Sequence, residues 1–157
     1  MSLRFAAGSL VDTLDRTLGH PTGLRLAPAG ESWDPASAPA AAWRIPLLDD
    51  AGEEVGAVVA DLGAVVLLGG WLIMLPPGSM QEQVAEGRPS EQVREAYAEV
   101  VNVLRGEINN TRLNPHVVPG PLAPYGDGPA WQAAPANRLD LRADTGLVTI
   151  RIAFLGR

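Results

Sequence analysis

AYAEVVNVLRGEINNTRL, residues 96–113, decides how this chain is read. Val93, Tyr97, Val100, Leu104 and Ile108 recur at intervals of three and four, which predicts a long helix burying one broad face. Ser90 stands where an N-cap is needed, with Glu91 and Gln92 in the first turn. A second stripe, Glu95, Glu99, Asn102, Gly106 and Asn109, is polar or sterically open. Glu99 and Asn102 are three apart, so both reach one partner surface. A carboxylate can hold a lysine, an amide can orient a water, and Gly106 permits close approach at some cost in helix propensity. A solvated helix face produces the same pattern with no chemistry attached, so spacing alone leaves both readings open.

Working outward, residues 2–18 read as an amphipathic first helix that GHPTG, 19–23, stops. A short strand follows at 24–26, then a proline- and alanine-rich loop at about 28–42. WRIPLLD reads as a strand in which Pro46 marks an edge or a bulge. DDAGEE is a turn and VGAVVADL the next strand. Residues 63–75 are apolar at nearly every position, so periodicity does not separate helix from buried strand; helix is preferred, ended or redirected by PPG at 76–78. SMQEQVAEGRP is expected to be a polar connector into the long helix. Beyond Asn114-Pro115 the chain is rich in proline and glycine to about residue 130. It closes with two alternating segments, ANRLDLRA and LVTIRIAFLG, joined by the hairpin signal Asp144-Thr145-Gly146. The expected fold is α+β, an antiparallel sheet packed against long helices, in one domain over 1–157.

Composition narrows the chemistry. With 46% hydrophobic residues the chain can build a core. A net charge of -6 disfavours nonspecific nucleic-acid binding, which needs concentrated positive charge. The absence of cysteine removes disulfides, thiolate chemistry and cysteine-based metal sites, and the two histidines, His20 and His116, are too far apart in sequence to suggest a cluster. Residues 55–75 are long enough to span a membrane, but Asp61 and four glycines interrupt them, and a strand followed by a packed helix fits better. No membrane partner is expected, and a cytoplasmic location is the default. Trp33 and Trp131 lie in loop-like surroundings suited to covering an edge or marking an interface, while Trp43 and Trp71 read as packing residues. Gly69-Gly70 lacks the pattern of a phosphate-binding loop.

The chain resembles the CheX-like branch of the CheC/CheX/FliY superfamily of chemotaxis phosphatases. EVVNVLRG, 99–106, is similar to that family's E-x-x-N helix followed by a small residue. LGHPTG resembles the end of its opening helix, EVGAVVADLG its strand before a helix, and Pro119, Pro121 and Pro124 the segment after its active-site helix. The resemblance implies hydrolysis of the phosphoryl group on a CheY-like response regulator. Asn102 would orient the attacking water, and Glu99 would engage the regulator's lysine. It implies no intrinsic cofactor, Mg2+ bound by the regulator partner, a single site because a second E-x-x-N helix is missing, and pairing as a homodimer. Glu95 stands where a small or acidic residue precedes the family's glutamate by four positions; it is bulkier than serine and adds repulsion near a phosphorylated acidic pocket. The alternative keeps the fold without the catalysis, as a signalling interaction or scaffold module.

Overall fold

The computed structural model describes residues 2–28, 30–31, 33–36, 42–126 and 128–157. Much of the 28–42 loop expectation therefore lies outside the described residues.

Four helices and seven strands make up the described chain: α1 Ala7–Leu18, β1 Arg25–Leu26, β2 Ala42–Leu48, β3 Glu54–Asp61, α2 Leu62–Leu72, α3 Pro77–Glu86, α4 Glu91–Asn110, β4 Val118–Pro119, β5 Ala123–Pro124, β6 Arg138–Asp144 and β7 Thr149–Gly156. The strands form one antiparallel sheet in the order β1-β6-β7-β3-β2-β4, with β5 also pairing to β2. The α+β class and the antiparallel sheet under helices are as the sequence implied.

Alternation along the strands divides the sheet into two faces. Ile45, Leu47, Val58, Ala60, Ile152 and Phe154 point into the main core, where α2 lies. Ala57, Val59, Ala153 and Leu155 point the other way, under Trp33, Tyr125, Trp131 and Ala133. The loop tryptophans thus cover the outer face of the sheet, and Trp131 is fixed there by donating its Nε1–H to Glu54 Oε2 at 3.0 Å. Glu54 also pairs with Arg44. Trp43 and Trp71 pack, partly buried, against the main core.

β3 runs straight into α2, and Asp61 makes the junction: its Oδ1 accepts the Ala64 N–H at 2.8 Å as an N-cap. Because α2 is apolar on every side, it is buried on every side over most of its length; every residue from Leu62 to Gly70 is buried. It is therefore the middle layer, with the sheet beneath and α4 packed on it. Gly69 sets that packing distance. A Cβ there would come 2.5 Å from the Val93 carbonyl oxygen and 3.1 Å from the Tyr97 nitrogen, so the bare backbone of α2 touches the backbone of α4.

Pro46 behaves as the edge reading expected. Its carbonyl accepts the Gly120 N–H on the outer side of β2, between the two-residue pairings of β4 and β5, so its missing N–H breaks no bond to β3. A register shift follows at Leu47/Leu48.

Two expectations are corrected. The polar connector 79–89 is largely helical, since α3 begins with Pro77 at its first turn and ends on Gly87 at φ 74. One buried side chain, Met80, with Val84 beside it, suffices to dock α3, so the hydrophobic signal in sequence is faint. The first helix starts at Ala7, not at residue 2. Arg4 N–H donates to Asn114 Oδ1 at 2.7 Å, and Asn114 Nδ2 donates back to the Arg4 carbonyl at 2.8 Å. That clamp holds residues 2–6 outside the helix while Leu3 is driven wholly into the core.

Candidate functional site

Seven apolar or small residues of α4, Val93, Ala96, Tyr97, Val100, Val101, Leu104 and Ile108, are buried, so the helix is fixed by its inner face. The Ser90 hydroxyl oxygen accepts the Val93 N–H at 3.2 Å and caps its start, as the sequence indicated. What remains outside is the polar stripe. Glu95, Glu99 and Gly106 are exposed and Asn102 is half-buried at their margin. Val103, 37% exposed, adds one apolar contact between them. A Cβ on Gly106 would meet nothing within 4 Å, so the backbone there is bare to any approaching surface.

Among the described residues, neither Glu99 nor Asn102 makes a side-chain hydrogen bond or an ion pair. The free carboxylate and free amide lie one helical turn apart on a convex, accessible surface. Such a surface suits a macromolecular partner, because small-molecule sites are concave and bury most of the ligand. Glu91, Glu95 and Glu99 succeed one another at four-residue intervals, all exposed and none ion-paired among the described residues. Like charges at that spacing oppose each other by roughly 0.2–0.5 kcal/mol per pair in an isolated helix.

Asn109 belongs by spacing to the same stripe, but the structure gives it a different task. Its Nδ2 donates to the Val117 carbonyl at 3.0 Å and its Oδ1 accepts the Val117 N–H at 2.8 Å. This two-sided bond ties the proline-rich segment to the flank of α4. Asn114 donates to the Ile108 carbonyl at 2.9 Å near the helix end. No local motif marks either residue, because each partner becomes adjacent only after the chain turns back.

Beneath the stripe, Tyr97 is buried and its hydroxyl has no hydrogen-bond partner among the described residues. Burial, with the Asp61 charge nearby, raises its pKa and keeps the phenol protonated. Asp61 is itself pushed up to about 6 by burial, against the pull of the Ala64 and Arg151 backbone N–H groups and of the Arg151 charge.

Among the described residues, no group of three or more His, Asp or Glu side chains is placed to hold a metal ion. His116 Nδ1 lies 2.8 Å from Asp50 Oδ1, while His20 meets the Leu18 carbonyl and packs edge-on against Trp71. No helix in the described chain is long and apolar enough to cross a membrane.

The sequence matches no family model and no curated protein. Its fold has solved counterparts. A chain of the CheX–CheY–BeF3–Mg2+ complex from Borrelia burgdorferi is similar at a TM-score of 0.56 and 14% identity, over 98% of this chain and 99% of that one. The FliM middle domain from H. pylori gives a TM-score of 0.54 at 9% identity, over 96% and 84% of the two chains. A CheC-like superfamily protein from Shewanella sp. PV-4 gives 0.52 at 11% identity, over 96% and 93%. The architecture is the CheC/CheX-like one, and the likeness is one of fold.

Proposed function

We propose that this chain, built on the CheC/CheX-like fold, is a CheX-branch phosphatase for a phosphorylated CheY-like response regulator. The observation that carries the reading is the pairing of Glu99 and Asn102 on the outer face of α4, accessible and without partners among the described residues. The fold shared with a chain of a CheX–CheY–BeF3–Mg2+ complex supports the class of partner.

In the reaction so read, Asn102 enters the regulator's active site and its amide holds a water in line with the phosphorus. The water's oxygen bonds to phosphorus, the bond from phosphorus to the aspartyl oxygen breaks, and the carboxylate and inorganic phosphate are released. An amide is a poor base, so its contribution is placement; an in-line water held at the right distance can supply several kcal/mol of the barrier reduction. Glu99 binds the regulator's lysine and fixes the register of α4 on that surface. Gly106 lets the two backbones come together. The Mg2+ is the regulator's, and this chain supplies no nucleophile of its own. The protein acts in the cytoplasm as one CheX-like domain over 1–157, pairs as a homodimer, and carries the 28–42 loop as an addition to the fold.

One observation favours a second reading, a non-catalytic signalling or scaffold module. The row Glu91–Glu95–Glu99 places negative charge where an acyl phosphate would lie and equally suits docking onto a basic surface without chemistry.

Phosphate loss from phosphorylated CheY-like receivers in Mg2+ separates the two, with Asn102→Ala and Glu99→Ala run beside the native protein. Acceleration lost in Asn102→Ala and weakened through poorer binding in Glu99→Ala is the expected result. Binding without acceleration by the native protein would leave the scaffold reading.

A further inference from the structure

Arg105 is a charged group on α4 that the reaction above does not use. Its Nε is fully buried and has no hydrogen-bond partner among the described residues. Its guanidinium meets no carboxylate there either. Arg44 has a buried, empty Nε as well, but its charge is answered by Glu54. Arg138 and Arg142 are answered by Asp140 and by Glu31 and Asp144. An arginine that is partly withdrawn from water and left without an anion costs stability, since a buried donor loses its hydration and gains no acceptor in return.

Position suggests what it faces. Arg105 follows Asn102 by three residues, so the two are neighbours on the helix surface. Side chains on a helix tend to lean toward its N-terminus, and Asn102 lies on that side of Arg105. The acids of the stripe lie at and before Glu99, whereas Arg105 is half-buried on the C-terminal side of Asn102. A dianionic phosphoryl group brought to Asn102 would otherwise face an amide and the carboxylates of Glu95 and Glu99.

We propose that Arg105 contacts the phosphoryl group of the bound regulator, donating through its guanidinium to the equatorial oxygens as negative charge redistributes during hydrolysis. The proposal rests on the phosphatase reading and adds to it a cation supplied by this chain beside the partner's Mg2+. It also accounts for the acidic row: with Arg105 in place, Glu95 and Glu99 are left to meet the partner's basic groups while the phosphoryl charge is met separately.

The test measures phosphate release from a phosphorylated CheY-like receiver with Mg2+ for the native protein, Asn102→Ala, Arg105→Ala, Arg105→Gln and Arg105→Lys, with unfolding curves for each. The expected result is a rate lowered roughly 10- to 100-fold in Arg105→Ala and Arg105→Gln, the range of one charge-assisted hydrogen bond. Partial recovery is expected in Arg105→Lys, and recovery of Arg105→Ala by millimolar guanidinium ion, which a merely structural arginine would not show. Where Arg105→Ala fails to fold, the glutamine and lysine variants decide. Acceleration that needs Asn102 but stays within about twofold of native in the folded Arg105 variants, with no guanidinium response, overturns this inference and leaves the phosphatase reading standing. No acceleration by the native protein overturns both.

Discussion

Asn102 and Asn109 stand two turns apart on one flank of α4, and only Asn109 is engaged within the described protein. Its amide both donates to and accepts from the Val117 backbone, while the Asn102 amide has no partner among the described residues. The same residue type at a seven-residue interval therefore serves two purposes. Asn109→Ala leaves the N–H and carbonyl of the buried Val117 unanswered and is expected to destabilise the fold by about 1–3 kcal/mol. Asn102→Ala is expected to cost no more than about 0.5 kcal/mol, as for surface changes generally. Urea unfolding of the two variants measures the contrast, and equal losses would contradict it.

The glycines of the two central helices make a similar pair. Gly69→Ala drives a Cβ to 2.5 Å from the Val93 carbonyl oxygen, a backbone atom that yields only if α4 moves off α2. A loss of about 1–3 kcal/mol is expected, with displacement of the helix that carries Glu99 and Asn102. Gly106→Ala meets open space and should stabilise the isolated protein by roughly 0.5–1 kcal/mol. Under the proposed function it should also weaken binding to the regulator. Thermal unfolding together with receiver binding separates the two effects.

Asp61 gives the fold a pH dependence of definite sign. Its pKa is about 6 in the folded protein against an ordinary 3.8. Between those values the folded chain holds a proton that the unfolded chain has released, so stability falls as pH rises through this window and levels off above about 6. Asp61→Asn keeps an oxygen to accept the Ala64 N–H and removes the buried charge. The variant should be the more stable protein above about pH 7, with the difference shrinking as pH falls from about 6 toward 4. Urea midpoints across that range measure it, and a difference independent of pH would show that Asp61 carries no such charge cost.

Local periodicity carried much of the architecture. The inner face of α4, the strand running into a buried helix at Asp61, and the terminal β6–β7 hairpin are all legible because each depends on neighbours in sequence. Two apolar residues, Met80 and Val84, hold α3 among polar ones, and so faint a stripe reads as a connector. Residues 2–6 had helical periodicity, but a side chain more than a hundred residues away, Asn114, binds their backbone instead. Trp33 and Trp131 could be placed in loops from sequence, but not over the outer face of the sheet, because that requires the strand order. At the site, the spacing of Glu99 and Asn102 was visible. The diversion of Asn109 to Val117 and the unanswered Nε of Arg105 were not, since both depend on what the folded chain brings or fails to bring beside them.

The central claim is that Asn102 places water for hydrolysis on a partner, and one experiment meets it directly. Dephosphorylation of a phosphorylated CheY-like receiver is followed with Mg2+ at saturating native protein and at saturating Asn102→Ala, with binding of each to the receiver measured in parallel. The expected result is acceleration by the native protein that vanishes in Asn102→Ala while the variant still binds. Equal acceleration by both proteins, or none by a native protein that binds, would contradict the account.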